Sequence, residues 1–584
     1  MKAVRAEVCT CAAVAAILAA IAAPARTQSR AAAQPQFFHG LAALHLFEYE
    51  DANDAFRQAQ RIDPNFAMAY WGEAMTYHHT LWRKENVGAA REVLARLGPS
   101  PAARAAKAGT STERALIAAV EILFGEGDAA TRHRRYAYAM ARVHEQDPEN
   151  PDVAALYALA LLGTMSRSLI GHDAREGHTE GLAGSEVQTR VGAILDSVLK
   201  THPEHPGALH YVLHNYDDPE HAHLALAAAR MLTQLAPDSS HARHMPSHIF
   251  FQLGLWQDAA SADRSAFDAS RAWVARRNLG PAMQNYHALS WLEYALLQRG
   301  RYRQALETIG ELEPVVKSSA LVPLLSDLAS MRARYVIETR RWNMMAAERN
   351  FANVNDLFAI GVSAARQRDP DLAERARQGL AARAQSEREG DLRPAIAIME
   401  REVAALAELG AGRTDRAIDI LQAAVRSELE LPPPLGLPEP VKPAPELLGE
   451  VLLEAGRPRD AIEPFEQALR RNANRSLSVL GLARAHAALG NMDAARARYR
   501  ELLANYDEAD SDLPELAEAR RALEPPVAPP PDRRLQLGVV IALAVAALAV
   551  SAFVFFRRPR TKKRARTKRA HKKNSNPESR IPNP

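Results

Sequence analysis

Residues 446–502 read ELLGEVLLEAGRPRDAIEPFEQALRRNANRSLSVLGLARAHAALGNMDAARARYREL. Two copies of one pattern stand 34 residues apart in this stretch, because Leu448, Gly456, Ala461, Phe465 and Ala468 recur as Leu482, Gly490, Ala495, Tyr499 and Leu502. The small alanine lets two antiparallel helices approach closely, the glycine turns the chain between them, and the aromatic ring fills the gap against the next copy. The period therefore predicts a repeated helix-turn-helix unit.

A 34-residue period with these residue types resembles the tetratricopeptide repeat. The same offsets occur near the front of the chain, in Ala52, Phe56, Ala59 and Pro64. Weaker copies stand between the two ends, at Ala225, Ala229 and Pro237, at Ala259 and Ala266, at Gly300, Ala305, Ile309 and Leu312, and at Gly412, Ala417, Leu421 and Ala424. No long alternation of β-branched residues predicts a sheet. We therefore expect an all-α fold, a tetratricopeptide-like α-solenoid of about ten repeats, curved or closed, with one C-terminal transmembrane helix.

Over residues 37–522 the chain also resembles a group of bacterial tetratricopeptide-repeat proteins without an assigned biochemical function. The resemblance is carried by residues 205–210, 214, 216–219, 241–250, 286–289, 291–294, 443–450, 474–475 and 481–485. It implies that residues 37–522 form one repeat scaffold, interrupted by a Pro-rich insertion at 431–446, and it implies no reaction. The insertion is expected to be extended, either as a solvated loop or as a strap along the solenoid.

The first 25 residues have the pattern of a secretory signal peptide. A short basic start precedes the apolar run 8–23, and small residues favour cleavage after Ala25, with an uncleaved anchor as the alternative. Both cysteines of the chain, Cys9 and Cys11, lie in this segment. The mature chain is therefore expected to form no disulfide, to use no thiol in catalysis and to offer no cysteine to a metal.

The other end of the chain has the pattern of a membrane anchor. Residues 535–556 form an apolar run of 22 residues, with Gln536 and Ser551 as its polar members, and a helix of that length covers about 33 Å. A Pro-rich stalk at 523–534 precedes it. Eleven Lys and Arg residues follow it within 557–573, which predicts a cytoplasmic tail at 557–584 and a repeat region outside the inner (plasma) membrane, in the periplasm or at the cell exterior.

The basic tail also accounts for the net charge of the chain. The whole chain carries +4, which becomes −7 once those 11 basic residues are set aside. A mildly acidic outer region disfavours nucleic-acid binding.

Histidine is concentrated in one part of the chain, since nine of the 20 histidines lie between His202 and His248. Two pairs there have i, i+4 spacing, and they stand 34 residues apart: His210 with His214, and His244 with His248. Such pairs put two imidazoles on one helix face, and equivalent repeats would put the two faces side by side. These four residues are candidate ligands for zinc or another transition metal. Further candidates are His241 and His287, while Asp217, Asp218 and Glu220 could orient the rings.

Other interpretations of the histidines stay open at this point. Pro246 is well tolerated in the first turn of a helix, and a helix that began there would leave His244 in the preceding loop. The histidines could instead form hydrogen bonds within the scaffold or line a polar groove for a peptide. The sequence contains no His-Glu-x-x-His, Gly-x-Ser-x-Gly or phosphate-binding glycine loop, so it favours a non-enzymatic role.

Two functions follow from these patterns. The first is a membrane-anchored scaffold that binds protein or peptide partners on the outer side of the inner membrane. The second is a metal-binding protein or metal-dependent hydrolase that uses the histidines of adjacent repeats.

Overall fold

The computed structural model describes residues 28–165, 184–236, 238–319, 321–345, 352–387, 392–524 and 533–556. The expected signal peptide, the basic tail and most of the Pro-rich stalk lie outside these residues. The chain divides after Leu523 into two compact units, which are described separately below.

The first unit is built from α-helices. In chain order they are α1 (28–45), α2 (Tyr49–Ile62), α3 (Ala67–Met75), α4 (Val87–Leu97), α5 (Pro101–Ala105), α6 (Ser111–Leu123), α7 (Ala129–Gln146), α8 (Pro151–Leu162), α9 (Gly184–Thr201), α10 (Pro206–Asn215), α11 (Ala222–Leu235), α12 (Ser240–Gln252), α13 (Trp256–Arg276), α14 (Tyr286–Gln298), α15 (Tyr302–Ser319), α16 (Val322–Thr339), α17 (Val354–Arg366), α18 (Pro370–Ser386), α19 (Leu392–Gly410), α20 (Thr414–Leu429), α21 (Ala444–Glu454), α22 (Pro458–Arg471), α23 (Ser476–Ala488), α24 (Met492–Asn505) and α25 (Pro514–Leu523). Short 3-10 turns lie at Pro281–Met283 and Trp342–Met345.

Successive helices pack against one another as hairpins, which confirms the expected tetratricopeptide-like α-solenoid. Within the described ranges the strands are limited to β1 (His78–His79) and β2 (Lys84–Glu85), which pair antiparallel. The solenoid also makes contacts between distant repeats. The Trp256 indole Nε1 donates to the carbonyl of Asn474 over 2.9 Å, and Arg299 donates to Glu508 over 2.8 Å.

One aromatic ring packs between two glycines at each end of the repeat array. On α22, Phe465 faces Gly449 of α21 and Gly481 of α23, where an added Cβ would lie 2.7 Å and 2.2 Å from the ring. Near the front, Phe56 lies between Gly40 and Gly72 in the same way. The glycines are needed because the ring takes the volume that a side chain on the neighbouring helix would occupy.

Replacing Gly481 with alanine should destabilise the fold by about 1–3 kcal/mol, because the new methyl group overlaps the buried Phe465 ring. In α15, Gly310 is the matched control, since nothing lies within 4 Å of its added Cβ. Alanine favours a helix over glycine by up to about 1 kcal/mol, so Gly310→Ala should be neutral or stabilising. Thermal unfolding of the full-length chain in detergent measures both, and a Gly481→Ala midpoint equal to that of Gly310→Ala would contradict the packing account.

The Pro-rich segment lies against the solenoid, and α21 begins within its predicted bounds, at Ala444. The Gln252 side chain donates to the carbonyl of Pro434 over 3.2 Å. An added Cβ at Gly436 would lie 2.1 Å from the ring of Trp291. Residues 431–443 therefore contact α12 and α14, the two helices that carry several of the candidate metal ligands.

The second unit contains helix α26 (Arg533–Phe556). Its residues Leu537–Val554 are long and apolar enough to cross a membrane, and none of them is buried in the protein.

Candidate metal centre

Three neighbouring helices carry the six candidate histidines. Two of these residues, His210 and His214, lie on α10, and His287 lies on α14. The other three, His241, His244 and His248, lie on α12. Each of the three helices is the first of its hairpin, as the 34-residue spacing predicted. The ring nitrogens meet in two groups of three rather than in one group of four.

Helix α12 determines how the two groups form. It begins at Ser240, and the Ser239 hydroxyl caps it by accepting from the amide of Ala242 over 3.0 Å. The helix then continues through Pro246, which is buried in its interior. Pro246 is therefore not in the first turn, and His244 lies within the helix.

The first histidine group consists of His210, His214 and His241. The Nε2 atom of His210 lies 3.1 Å from Nε2 of His241 and 3.1 Å from Nε2 of His214. On the other side of its ring, His210 Nδ1 donates to the carbonyl of His45 over 2.7 Å. That bond places the proton of a neutral ring on Nδ1, so its Nε2 lone pair points toward the other two imidazoles.

Aromatic residues enclose the first histidine group. The Phe47 ring lies 4.5 Å from the ring of His210, 5.7 Å from that of His214 and 5.6 Å from that of His241, between centroids. The φ of Phe47, 59°, lies in the left-handed region, which a bulky residue rarely adopts.

Burial lowers the pKa of His210 to about 4, and it lowers the pKa of His241 well below the usual value. Both rings are therefore neutral near pH 7, as a metal ligand must be.

The second histidine group consists of His244, His248 and His287. The Nε2 atoms of His244 and His248 lie 3.1 Å apart. Each ring directs its Nδ1 at a carboxylate: His244 at Asp263 over 2.6 Å, and His248 at Asp217 over 2.7 Å. Carboxylates that hold the far nitrogen of an imidazole are the usual outer partners of metal-bound histidines.

The separation of the ring nitrogens suits a bound metal ion. Zinc binds imidazole nitrogen at about 2.0–2.1 Å, so two nitrogens on a tetrahedral ion stand about 3.3 Å apart. The separations of 3.1 Å between Nε2 atoms of neighbouring histidines are close to that value. The third ligand of the second group, His287, is exposed, and Trp291 covers the group with its ring centroid 4.3 Å from that of His248.

The acidic residues that follow the first histidine pair in the sequence have different contact partners. Of the three expected to orient rings, Asp217 contacts His248, whereas Asp218 accepts from Gln188 and from His221. The side chain of Asp263 is the orienting group that sequence reasoning missed. It lies on α13, 19 residues after His244, so no local pattern marks it.

Two further groups of histidines and acids have structural partners instead. In the first, His205 Nδ1 accepts from the amide of Ala208 over 3.1 Å, so His205 caps α10 and its Nε2 carries the proton that Asp152 accepts. In the second, the Glu85 carboxylate pairs with Arg132 through both of its oxygens. In both groups the ligand atoms also lie within 4.8 Å of one another, but each carboxylate is already engaged by these protein partners.

Comparison with known proteins supports the repeat architecture and gives no information on the histidine groups. Residues 452–529 match the family model described as Tetratricopeptide repeat. No curated protein matches the chain. Among solved structures, the crystal structure of the APC/C hetero-tetramer Cut9–Hcn1 is 11% identical with a TM-score of 0.27, covering 84% of this chain and 76% of that one. A tetratricopeptide repeat protein from Parabacteroides merdae is 12% identical with a TM-score of 0.28, covering 49% of this chain and 97% of that one. Neither likeness supports a functional argument. The matched repeats and the helical hairpins around them identify the chain as a tetratricopeptide-repeat protein.

Proposed function

We propose that the protein binds a transition-metal ion, zinc or copper, at the second histidine group. The supporting observation is the pair of carboxylates behind His244 and His248. With both Nδ1 atoms donating, both neutral rings present lone pairs at Nε2, and these face each other across 3.1 Å. Two facing lone pairs repel unless a proton or a metal cation lies between them.

The proton and the metal ion compete for the same position. Burial raises the pKa of Asp263 well above its usual value, against the opposing effect of a hydrogen bond from Ser247. The carboxyl of Asp263 therefore holds a proton more readily than an ordinary aspartate does, and it supplies the proton that competes with the metal ion. A metal ion that binds to the Nε2 atoms displaces the competing proton into solution, as is usual when a histidine site binds metal.

The donor set favours particular metals and a particular chemistry. Imidazole nitrogen suits zinc, copper and nickel. Within the described residues the site would supply three nitrogens to a tetrahedral ion, and a water in the fourth position would give the arrangement of catalytic zinc sites, which supports metal-assisted hydrolysis.

Elemental analysis of the full-length chain in detergent tests the proposal. After loading with zinc or copper and dialysis, the wild type should retain metal and His248→Ala should lose the metal of the second group. The exposed His223 lies outside both groups, so His223→Ala is the control and should match the wild type. Absence of metal from the wild type and from both variants, after exposure to zinc, copper and nickel, would refute the proposal.

Asp217→Asn should weaken metal binding by about 10–100-fold, because it removes the carboxylate that holds His248 Nδ1. The neighbouring Asp218→Asn should leave metal affinity unchanged, since Asp218 contacts His221 and Gln188. A competitive chelator titration measures both affinities. Equal affinities in the two variants would mean that the Asp217 contact is purely structural.

The repeat architecture favours a second function, a scaffold for a protein or peptide partner. Tetratricopeptide repeats commonly present inner helices to partners, and a cavity of about 480 Å³ lies among α16, α17, α21 and α23. Its lining combines apolar groups such as Trp342 with basic groups such as Arg366 and Arg484. Crosslinking in intact cells should recover discrete partners that Arg366→Glu with Arg484→Glu fails to recover. Recovery of the same proteins by both chains would count against this cavity as the binding surface.

We further propose that the repeat region lies outside the inner membrane, anchored by α26. The length and apolar character of Leu537–Val554 and the basic residues after 556 support this orientation. Protease added to intact spheroplasts should remove the repeat region and spare the tail, whereas a protected repeat region would reverse the proposed orientation.

A further inference from the structure

We infer that the first histidine group holds a second metal ion beside the first, so that α10, α12 and α14 together carry a paired two-metal centre. This inference rests on the proposed metal binding at the second histidine group. Beyond that proposal, it adds a second ion with its own set of ligands and a small anion that binds to both ions.

Helix α12 brings the two groups next to each other. It supplies His241 to the first group and His244 to the second, and residues three apart are neighbours on a helix, with Cβ atoms about 5–6 Å apart.

The first histidine group has its own ligand geometry. Its ligand nitrogens all lie within 4.8 Å of one another. The carbonyl of His45 fixes the orientation of His210, while Phe47 packs on all three rings and Trp82 lies 5.2 Å from His241 between centroids. A fixed tautomer and a tight aromatic enclosure are the features that keep imidazoles aimed at one point.

The charge of the paired centre indicates what else binds there. Six neutral imidazoles contribute no negative charge, and the two orienting carboxylates, Asp217 and Asp263, contribute at most two. Two divalent cations bring four positive charges, so the loaded centre retains an excess of positive charge. Among the described residues each ion would have three protein ligands, one fewer than a tetrahedral ion takes. A hydroxide or another small anion shared between the two ions would satisfy both requirements.

Copper titration of the full-length chain in detergent, followed by elemental analysis and electron paramagnetic resonance, tests the inference. The wild type should bind two equivalents of Cu²⁺, and His214→Gln and His287→Ala should each bind one. Two neighbouring Cu²⁺ ions couple, so the wild-type signal should integrate to less than two spins, whereas each variant should give one full spin. Far-ultraviolet circular dichroism confirms that the variants are folded.

The outcomes separate this inference from the proposed function. One equivalent in the wild type, lost in His287→Ala and kept in His214→Gln, would overturn the paired centre and leave the single site standing. No copper in any chain would overturn both. Azide is the probe for the shared anion, and its charge-transfer absorption should saturate at one azide for two copper ions. Saturation at one azide for each ion would contradict a shared anion.

Discussion

Arg475→Met should lower the free energy of unfolding by about 3–5 kcal/mol, because it leaves buried carboxylates without their partner. The Arg475 guanidinium is fully buried. It donates to both oxygens of Glu446, over 2.8 Å and 2.9 Å, to the Tyr294 hydroxyl over 2.6 Å, and to Glu338. Because Tyr294, Glu338 and Glu446 lie on α14, α16 and α21, one side chain joins three helices at the start of α23.

Urea unfolding of the full-length chain, followed by circular dichroism, measures the loss. Arg470→Met is the matched control, since Arg470 pairs with Glu463 on the surface, where both side chains are about 60% exposed. Surface pairs of this kind contribute about 0–1 kcal/mol. Adding Glu338→Gln and Glu446→Gln to Arg475→Met should restore part of the stability, because the uncompensated charges are removed. A loss no larger than that of the control would show that the buried network is dispensable.

Glu402→Gln should become progressively more stabilising, relative to the wild type, as the pH rises from 5 to 8. Glu402 is fully buried on α19, and within the described part of the chain neither of its carboxylate oxygens has a hydrogen-bond partner. Burial raises its pKa well above the usual value of 4.5, and the nearby Glu428 carboxylate acts in the same direction. The folded chain therefore keeps a proton that the unfolded chain releases.

The sign of the pH dependence follows from that difference in proton binding. The contribution of Glu402 to stability is fully present below the unfolded pKa, and it decreases as the pH rises toward the higher folded pKa. The decrease is about 1.4 kcal/mol for each pH unit. Glutamine does not titrate, so the difference in unfolding free energy between variant and wild type should grow with pH. The exposed Glu430, replaced by Gln, is the control measured in the same way. A flat difference for Glu402→Gln would mean that its carboxylate ionises in the folded protein.

The sequence predicted the repeats well where their packing residues are local. Both helices of the 34-residue unit at the C-terminal end appear as expected, and Gly456 and Gly490 adopt φ of 72° and 77° at the turns. The side chain of Phe465 fills the gap between neighbouring units, as its aromatic character predicted. These features depend on contacts within one unit or between adjacent units, and a period in the sequence records such contacts directly.

The sequence predicted the arrangement of the candidate histidines only in part. Spacing of four residues was enough to bring His210 and His214 together on α10. It was not enough to show that α12 continues through Pro246, because buried packing holds this proline in a position that local preference disfavours. Nor could it reveal the contact of Asp263 with His244, which depends on how α13 is aligned against α12. The division into two groups is a result of that alignment.

The contacts between distant repeats bear on the order in which the chain can fold. The start of α13 and the turn after α14 contact residues more than 200 positions later, since Trp256 donates to Asn474 and Gly300 accepts from the amide of Asp510 over 3.0 Å. A simple solenoid can gain its structure one unit at a time as the chain emerges, because each unit needs only its neighbour. Here the middle units cannot complete their packing until the C-terminal units have been made, and an apolar surface of the middle units stays exposed until then. An unfinished chain is thus the form in which this protein most needs a chaperone, and a stop codon before residue 474 should yield a proteolysed product rather than a shorter folded array.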